Sequence, residues 1–264
     1  MATALSDELV CAQAAASAAG DVLLEGWGTR PEVRFKSSAA DLVTEFDGRS
    51  ETVIVEHLAN NFPDDAIIGE EGTGRPGTSG RAWYIDPLDG TTNFSHGLPL
   101  FCVSIGLCEA GQPILGVVFA PALGWLFVGA RDETATRDGQ PIHVSAVDTL
   151  ARSLLVTGFP YVSHPPTGDN LPEFASFMRA SQGVRRLGSA ALDLCCVACG
   201  WFDGFWERHI KAWDLVAGAA IVEAAGGRIS DPAGGPFQPE SGCILASNGL
   251  IHQPMLEGLA ELRR

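Results

Sequence analysis

The sequence has no apolar run of the roughly 18 to 20 residues needed to span a bilayer. Its longest uncharged stretches are cut by Gly or Pro, so no membrane partner is expected. Basic residues are few, 17 Lys and Arg against 32 Asp and Glu, and the net charge is −15. Phosphate backbones are held by clustered Lys and Arg. No basic stripe is present, which argues against nucleic acid; an acidic chain that handles an anionic substrate needs cations to do so. The N-terminus lacks a basic n-region and a leucine-rich core and carries Asp7 and Glu8 instead, so no signal peptide is expected. The seven cysteines show no disulfide-framework spacing, which points to a reducing cytoplasm. Cys196-x-x-Cys199 has no second pair or neighbouring His to complete a zinc set, and its apolar helical surroundings predict buried thiols. The six histidines show no metal-ligand spacing. There is no internal repeat and no linker long enough to separate independent domains.

What is present is a chain of 264 residues with 46% hydrophobic side chains, enough for a sizeable core in one domain or two intimate halves. Its most informative stretch is 83–94, Trp-Tyr-Ile-Asp-Pro-Leu-Asp-Gly-Thr-Thr-Asn-Phe. Trp83, Tyr84 and Ile85 suit a half-buried strand, and Asp86-Pro87 is expected to end it, because proline cannot continue a central ladder. Asp89 follows three residues later, so two carboxylates and the Leu88 carbonyl can converge on one hard cation such as Mg²⁺, which takes oxygen ligands. In Gly90-Thr91-Thr92 a flexible glycine precedes two hydroxyls able to cap a helical turn whose amides would face a phosphate. Asp-Gly is equally the commonest hairpin turn, so a solvated loop is the competing reading.

Around this stretch the periodicity predicts a helix from 5 to about 26, a short strand at 33–35, a small polar loop at 36–41 and a helix from 41 to 60 with Asp47 near its start. Residues 66–69 form a strand that delivers Glu70 and Glu71. Glu70 is placed at the metal site and Glu71 is left open. Three strands at 100–108, 114–120 and 123–129 and a hairpin around Asp138-Gly139 make an antiparallel meander. Strands and helices then alternate to a closing helix at 250–262. Residues 1–148 therefore read as an α+β half and 149–264 as an α/β half of a single layered domain. Asp214 falls at the head of a helix that is almost wholly apolar further on. A helix cap, stabilising by roughly 1 kcal/mol, explains it alone, but a two-metal site also needs an acid from a remote part of the chain.

With Asp86-Pro87-Leu88-Asp89-Gly90-Thr91-Thr92-Asn93-Phe94, then Trp213-Asp214-Leu215-Val216-Ala217-Gly218 running to Gly226-Gly227, and Lys36, Asp41, Thr44, Asp47 and Gly69-Glu70-Glu71-Gly72 in order before them, the chain resembles the inositol monophosphatase family. That family belongs to the Mg²⁺-dependent, lithium-sensitive sugar phosphatases. The resemblance covers nearly the whole chain and implies a layered αβαβα sandwich and a cytoplasmic homodimer.

It also implies roles. Glu70, Asp86 and the Leu88 carbonyl would hold a first metal, Asp86, Asp89 and Asp214 a second, and a third, weaker ion would lean on Glu70, giving two or three Mg²⁺ ions. A metal-activated water would attack the phosphoryl group in line, with Thr91 and Glu70 orienting and deprotonating it and Asp47 supporting Thr91. No Ser-His-Asp set or Cys nucleophile is required. Gly90 and Thr91 amides would hold the phosphate, and Lys36 resembles the family's mobile-loop lysine, with a solvated charge as the plain alternative. On the substrate side the resemblance points to Asp89, Gly188, Ser189, Ala190, Asp214 and Glu207. Glu207 stands seven residues before Asp214, where members acting on inositol carry a glutamate able to accept two ring hydroxyls. The expected substrate is a phosphorylated polyol, myo-inositol monophosphate first. Histidinol-phosphate, fructose-1,6-bisphosphate and 3′-phosphoadenosine phosphate are alternatives within the superfamily, and a regulatory binding protein is the alternative outside it.

Overall fold

The computed structural model of the protein describes residues 5–29, 31–35, 42–160 and 168–262. The expected loop at 36–41, with Lys36 and Asp41, lies outside the described residues. The first half of the chain runs α1 (Ser6–Gly26), β1 (Arg34–Phe35), β2 (Leu42–Val43), α2 (Glu45–Asn61), β3 (Ala66–Gly69), β4 (Arg81–Asp89), α3 (Thr91–Ser95), β5 (Cys102–Glu109), β6 (Gln112–Ala120), β7 (Trp125–Ala130), β8 (Thr136–Arg137) and β9 (Gln140–Pro141). It continues with β10 (Leu154–Thr157), α4 (Leu171–Ala180), β11 (Gly183–Arg185), α5 (Ala190–Ala198), β12 (Gly204–Arg208), α6 (Ala212–Ala224), β13 (Arg228–Ser230), β14 (Cys243–Ser247) and α7 (His252–Glu261).

Beside the small β1–β2 ribbon, two sheets organise the described residues. The seven-stranded sheet runs in chain order from β3 to β9, parallel between β3 and β4 and antiparallel from there on. The five-stranded sheet has the order β11-β10-β12-β14-β13, with β10 parallel to both neighbours and β14 antiparallel to both of its own. Helices α1 and α2 cover the outer face of the first sheet, α5 and α6 lie between the sheets, and α4 and α7 cover the second. The architecture is the layered αβαβα sandwich the sequence led us to expect.

Local composition explains the layers. In α1 the buried face is Ala12, Ala15, Ala16, Ala19 and Gly20, small residues at helical spacing that let the helix axis close on the sheet. Helix α6 is apolar apart from Asp214 in its first turn and Glu223 in its last, as suits a helix enclosed between two sheets. It reaches the first sheet over glycines: a Cβ at Gly116 would stand 2.0 Å from the Ala217 carbonyl.

Two boundaries differ from expectation. The helix foreseen from Asp41 begins at Glu45, after strand residues Leu42–Val43, because Thr44 in extended conformation caps it with its hydroxyl accepting from Phe46 N. Strand β4 does not stop at Asp86-Pro87. It resumes at Asp89, since Asp86 pairs with Ser104 and Asp89 with Cys102, which leaves Pro87 and Leu88 opposite Val103 alone. That extra residue is a β-bulge, the place in a sheet where a proline costs no ladder bond.

Candidate active site

The bulge is the starting point of the site. It turns the chain so that Asp86 and Asp89, both buried, leave the end of the same strand. Asp86 Oδ1 accepts Leu88 N at 2.9 Å, which closes the bulge on itself. Gly90 follows at φ 95°, a left-handed conformation, and a Cβ there would stand 2.9 Å from the Leu100 carbonyl; glycine is required on both counts. Neither threonine side chain caps α3. Gly90 occupies the cap position, and the segment is a helical turn, not the hairpin that Asp-Gly also allowed. Asn93 then fixes the turn in space by donating through Nδ2 to the Leu100 and Leu187 carbonyls at 2.7 and 2.8 Å.

One face of α2 holds three separate pieces of the site. Asp47, Ser50 and Glu51, spaced i, i+3 and i+4, project together, and all three are fully buried. Asp47 Oδ2 accepts from the Thr44 amide at 2.8 Å and its hydroxyl at 2.6 Å, while Oδ1 lies 3.3 Å from the Thr91 hydroxyl. That hydroxyl is also 3.1 Å from the Leu88 carbonyl, so its single proton has two acceptors. Ser50 donates to the Pro87 carbonyl at 2.9 Å. Glu51 accepts from the turn after β3 that carries Glu70 and Glu71. The Glu70 amide in turn donates to the Ile85 carbonyl at 3.3 Å, one residue before Asp86.

The second half of the chain supplies the opposite wall. Ser189 caps α5, accepting from Leu192 N, and donates to Asp89 Oδ2 at 2.8 Å. The Ala191 amide donates to the same oxygen at 2.8 Å. Asp89 is therefore held by the amino end of α5, where both free amides and helix dipole favour a carboxylate. Gly188, at φ 92°, lies so near Asn93 that a Cβ would be 3.0 Å from Nδ2. Asp214 is the third residue of α6, not its cap, and its carboxylate accepts from the Lys211 amide at 3.0 Å. Glu207 comes from β12, buried with its carboxylate against Gly158, where a Cβ would stand 2.2 Å from Oε2.

Electrostatics gather these acids into one system. Burial raises the Asp86 carboxyl well above its ordinary range, and the charges of Glu70, Asp89 and Asp214 raise it further. Asp214 is raised by burial and then by Asp89 and Glu70. The two share a side-chain hydrogen bond that raises Asp86 and lowers Asp214. Asp89 is pushed up to about 6 by burial, against the bonds from Ser189 and Ala191. Asp47 is pushed up to about 6 by burial, against its bonds to Thr44. Glu207 rises to about 8, by burial first and then by Asp214 and Asp89.

Among the described residues, no three His, Cys, Asp or Glu side chains are already drawn together as an ion cage. The mutual raising of pKa values is the signature of a site whose anionic form lacks a counter-charge. The donors are hard oxygens, and the nearby Cys102 thiol, 4.0 Å from Asp89 Oδ2, is held protonated by burial and then by the Asp89 charge. Such a set fits Mg²⁺ and not a soft ion.

The structure thus brings Asp47, Asp86, Leu88, Asp89, Gly90 and Thr91 onto one continuous turn-and-helix surface, with Glu70, Ser189 and Asp214 meeting it through the contacts above. The Ser189 hydroxyl bonds Asp89 and its own helix, so it supports an acid of the site. The Cys196 and Cys199 pair is buried or half-buried, and both thiols are free. Sequence reasoning missed Ser50, Glu51 and Asn93, and it missed Asp193. That last carboxyl is raised by burial and then by Glu207, and among the described residues its Oδ1 has no hydrogen-bond partner.

A family model described as the inositol monophosphatase family matches residues 5–264. The chain is 46% identical over 254 residues to a protein of Synechocystis sp. named inositol-1-monophosphatase, covering 96% of this chain and 88% of that one. The solved structure of inositol monophosphatase from Anabaena (Nostoc) sp. is similar with a TM-score of 0.88 at 43% identity, covering 98% of this chain and 97% of that one. A relative from Neisseria meningitidis, 39% identical over 92% of this chain and 94% of its own length, bears the name putative Nus factor SuhB.

Proposed function

The chain belongs to the inositol monophosphatase family and is a phosphoric monoester hydrolase, and from that premise we propose that it hydrolyses myo-inositol monophosphate to inositol and phosphate with Mg²⁺. The observation that carries the reading is the bulge that brings Asp86 and Asp89 out of one buried strand end, with Glu70 tied to the same strand through Ile85 and the Asp214 charge near enough to raise Asp86. Glu70, Asp86, Asp89, Asp214 and the Leu88 carbonyl would hold two or three ions. Bound there, Mg²⁺ supplies charge neutralisation on the phosphoryl oxygens and lowers the pKa of water.

The chain's own groups do the rest. Thr91 and Glu70 orient the attacking water, and the Thr91 hydroxyl passes a proton toward Asp47. The carboxyl of Asp47 is poised near 6, close to working pH, as a proton acceptor should be. Gly90 and Thr91 amides receive the phosphate at the start of α3. Phosphoryl transfer needs positioning and charge neutralisation more than covalent help, and the rigid bonding around Asp89 and Asp47 supplies the positioning. Glu207, with Gly188 and Ala190 on the same side, faces the polyol.

Lithium inhibition, a cytoplasmic location and a homodimer accompany this reading as properties expected of such an enzyme. No helix among the described residues is long and apolar enough to cross a membrane. A factor role like the one in the Neisseria relative's name is a second reading; full retention of the acids favours catalysis, because a pure interaction surface has no use for five convergent polar residues.

Replacement of Asp214 or Asp89 by Asn tests the assignment. Each is expected to lower Mg²⁺-dependent phosphate release by about 100-fold or more while the circular dichroism of the fold is unchanged. Wild-type turnover by either variant would refute it.

A further inference from the structure

We propose that Glu51, on the buried face of α2, is a positioning residue that sets the divalent-ion affinity of the site by fixing the Glu70–Glu71 turn, without itself contacting ion or substrate. The inference rests on the reading of Glu70 as an ion ligand.

Glu51 lies in the middle of a helix and is fully buried, an unusual place for a carboxylate. Its two oxygens are both spent on one short turn of another element. Oε2 accepts the Glu71 amide at 2.7 Å, and Oε1 accepts the Thr73 amide at 2.8 Å and the Thr73 hydroxyl. Three donors on one anion make a chelate, and hydrogen bonds to a charged acceptor are about twice as strong as neutral ones. The turn is shaped to receive it. A Cβ on Gly69 would stand 2.6 Å from Oε2, so glycine alone lets the carboxylate reach the backbone. Beyond the turn, Ile67 and Arg75 exchange amide-to-carbonyl bonds at 2.9 Å in each direction, which closes the loop into a ring around the Glu51 head group.

The consequence falls on Glu70. Its own amide is tied to Ile85, and the next amide, that of Glu71, is tied to Glu51. The two peptides that flank the Glu70 Cα are therefore each held, one by the strand that bears Asp86 and the other by the helix that bears Asp47. Removing Glu51 frees one side only. Thr73 is exposed and Glu71 half-buried, so water can take over the released donors and the fold need not fail. What changes is the aim of the Glu70 carboxylate. Groups that orient a metal ligand typically change metal affinity about 10- to 100-fold when lost, and Glu51 does so through the amide of the next residue, Glu71.

The test measures Mg²⁺ binding by calorimetry on Glu51→Gln in the full chain, together with the Mg²⁺ activation midpoint and KM for inositol monophosphate at saturating Mg²⁺. Gln keeps the shape but turns an N–H donor toward amide donors. The inference predicts Mg²⁺ binding weakened by about 10-fold or more, the activation midpoint moving with it, and KM changed by less than about twofold. Thr73→Ala, which removes one of the three bonds and leaves the core intact, should shift the ion affinity in the same direction by a smaller factor. Thr52→Ala, whose hydroxyl bonds only its own helix, should shift nothing. Wild-type Mg²⁺ affinity in Glu51→Gln, or in Thr73→Ala should Glu51→Gln not fold, overturns the proposal. If Glu70→Gln loses Mg²⁺ affinity while Glu51→Gln keeps it, the ligand reading stands and the positioning role fails. If Glu70→Gln binds Mg²⁺ like the wild type, both fail together.

Discussion

Among single residues, the proposed role of Glu207 separates substrate choice from chemistry. It lies apart from the proposed water-orienting groups, its carboxylate pressed onto Gly158. Glu207→Ala is expected to lower kcat/KM for inositol monophosphate by about 10-fold or more and to leave turnover of a generic aryl phosphate nearly unchanged. Equal losses on both substrates in a side-by-side assay would remove Glu207 from recognition. Ser189 gives a contrasting case. Its hydroxyl both caps α5 and donates to Asp89, so Ser189→Ala is expected to cost about 1 kcal/mol in urea denaturation and to weaken Mg²⁺ activation. A variant with lost stability and intact Mg²⁺ response would limit Ser189 to the cap.

Some of these residues could be recognised in the sequence and others could not, for a physical reason. Asp86 and Asp89 lie at the end of a buried strand and Glu70 directly after another strand, where a charge has no ordinary structural use, and their spacing makes a hard-ion set visible. Ser50, Glu51 and Asn93 look like any polar residue on a helix or turn. Only tertiary contacts to Pro87, to the Glu71–Thr73 turn and to Leu187 reveal what they do. The partner of Ser189, Asp89, lies 100 positions away, beyond any local pattern.

At the scale of elements, α2 and α5 act as two clamps on the same loop. Helix α2 grips the bulge, the α3 turn and the Glu70 turn through Ser50, Asp47 and Glu51. Helix α5 grips Asp89 from the other half of the chain. The strand carrying the loop was predicted to stop at Pro87, and the bulge that lets it continue depends on the register with β5, which periodicity along one strand does not contain. Gly158, at the end of β10, tests the element directly. Gly158→Ala places a methyl within 2.2 Å of the Glu207 carboxylate, which must then move. The expected result is a raised KM for inositol monophosphate with Mg²⁺ activation unchanged, read from steady-state kinetics at varied Mg²⁺. A shift of Mg²⁺ activation with no change in KM would contradict it.

The whole molecule concentrates raised carboxyl pKa values in its centre, and this gives its stability a sign in pH. Glu207 is raised from 4.5 to about 8 by burial and then by Asp214 and Asp89, so the folded state binds a proton that the unfolded state releases above 4.5. Its contribution is fully present below that value and is lost as pH rises through about 8. His252 runs the other way. Burial between the Ser230 and Ser247 hydroxyls lowers it from 6.5 to about 4, so its contribution is present above 6.5 and is lost as pH falls toward 4. Between pH 6.5 and 8.5 only the acidic group is still changing of the two. The Mg²⁺-free chain should therefore lose stability across that window in urea titrations, and Glu207→Gln should lose less. A Glu207→Gln chain with the full wild-type slope would show that the carboxyl is not protonated in the fold.

At that same scale, two layered halves of a single domain were readable from strand and helix patterns, and the αβαβα sandwich from the family resemblance. How the halves join was not, because it depends on α6 lying between both sheets over glycines such as Gly116. The central claim is that these halves meet to build a Mg²⁺-dependent inositol phosphatase. The most direct measurement is phosphate release by the wild-type chain from myo-inositol monophosphate, histidinol-phosphate, fructose-1,6-bisphosphate and 3′-phosphoadenosine phosphate, each with Mg²⁺ and after chelation. The account predicts release that requires Mg²⁺ and is fastest with inositol monophosphate; release that survives chelation, or none from inositol monophosphate, would contradict it.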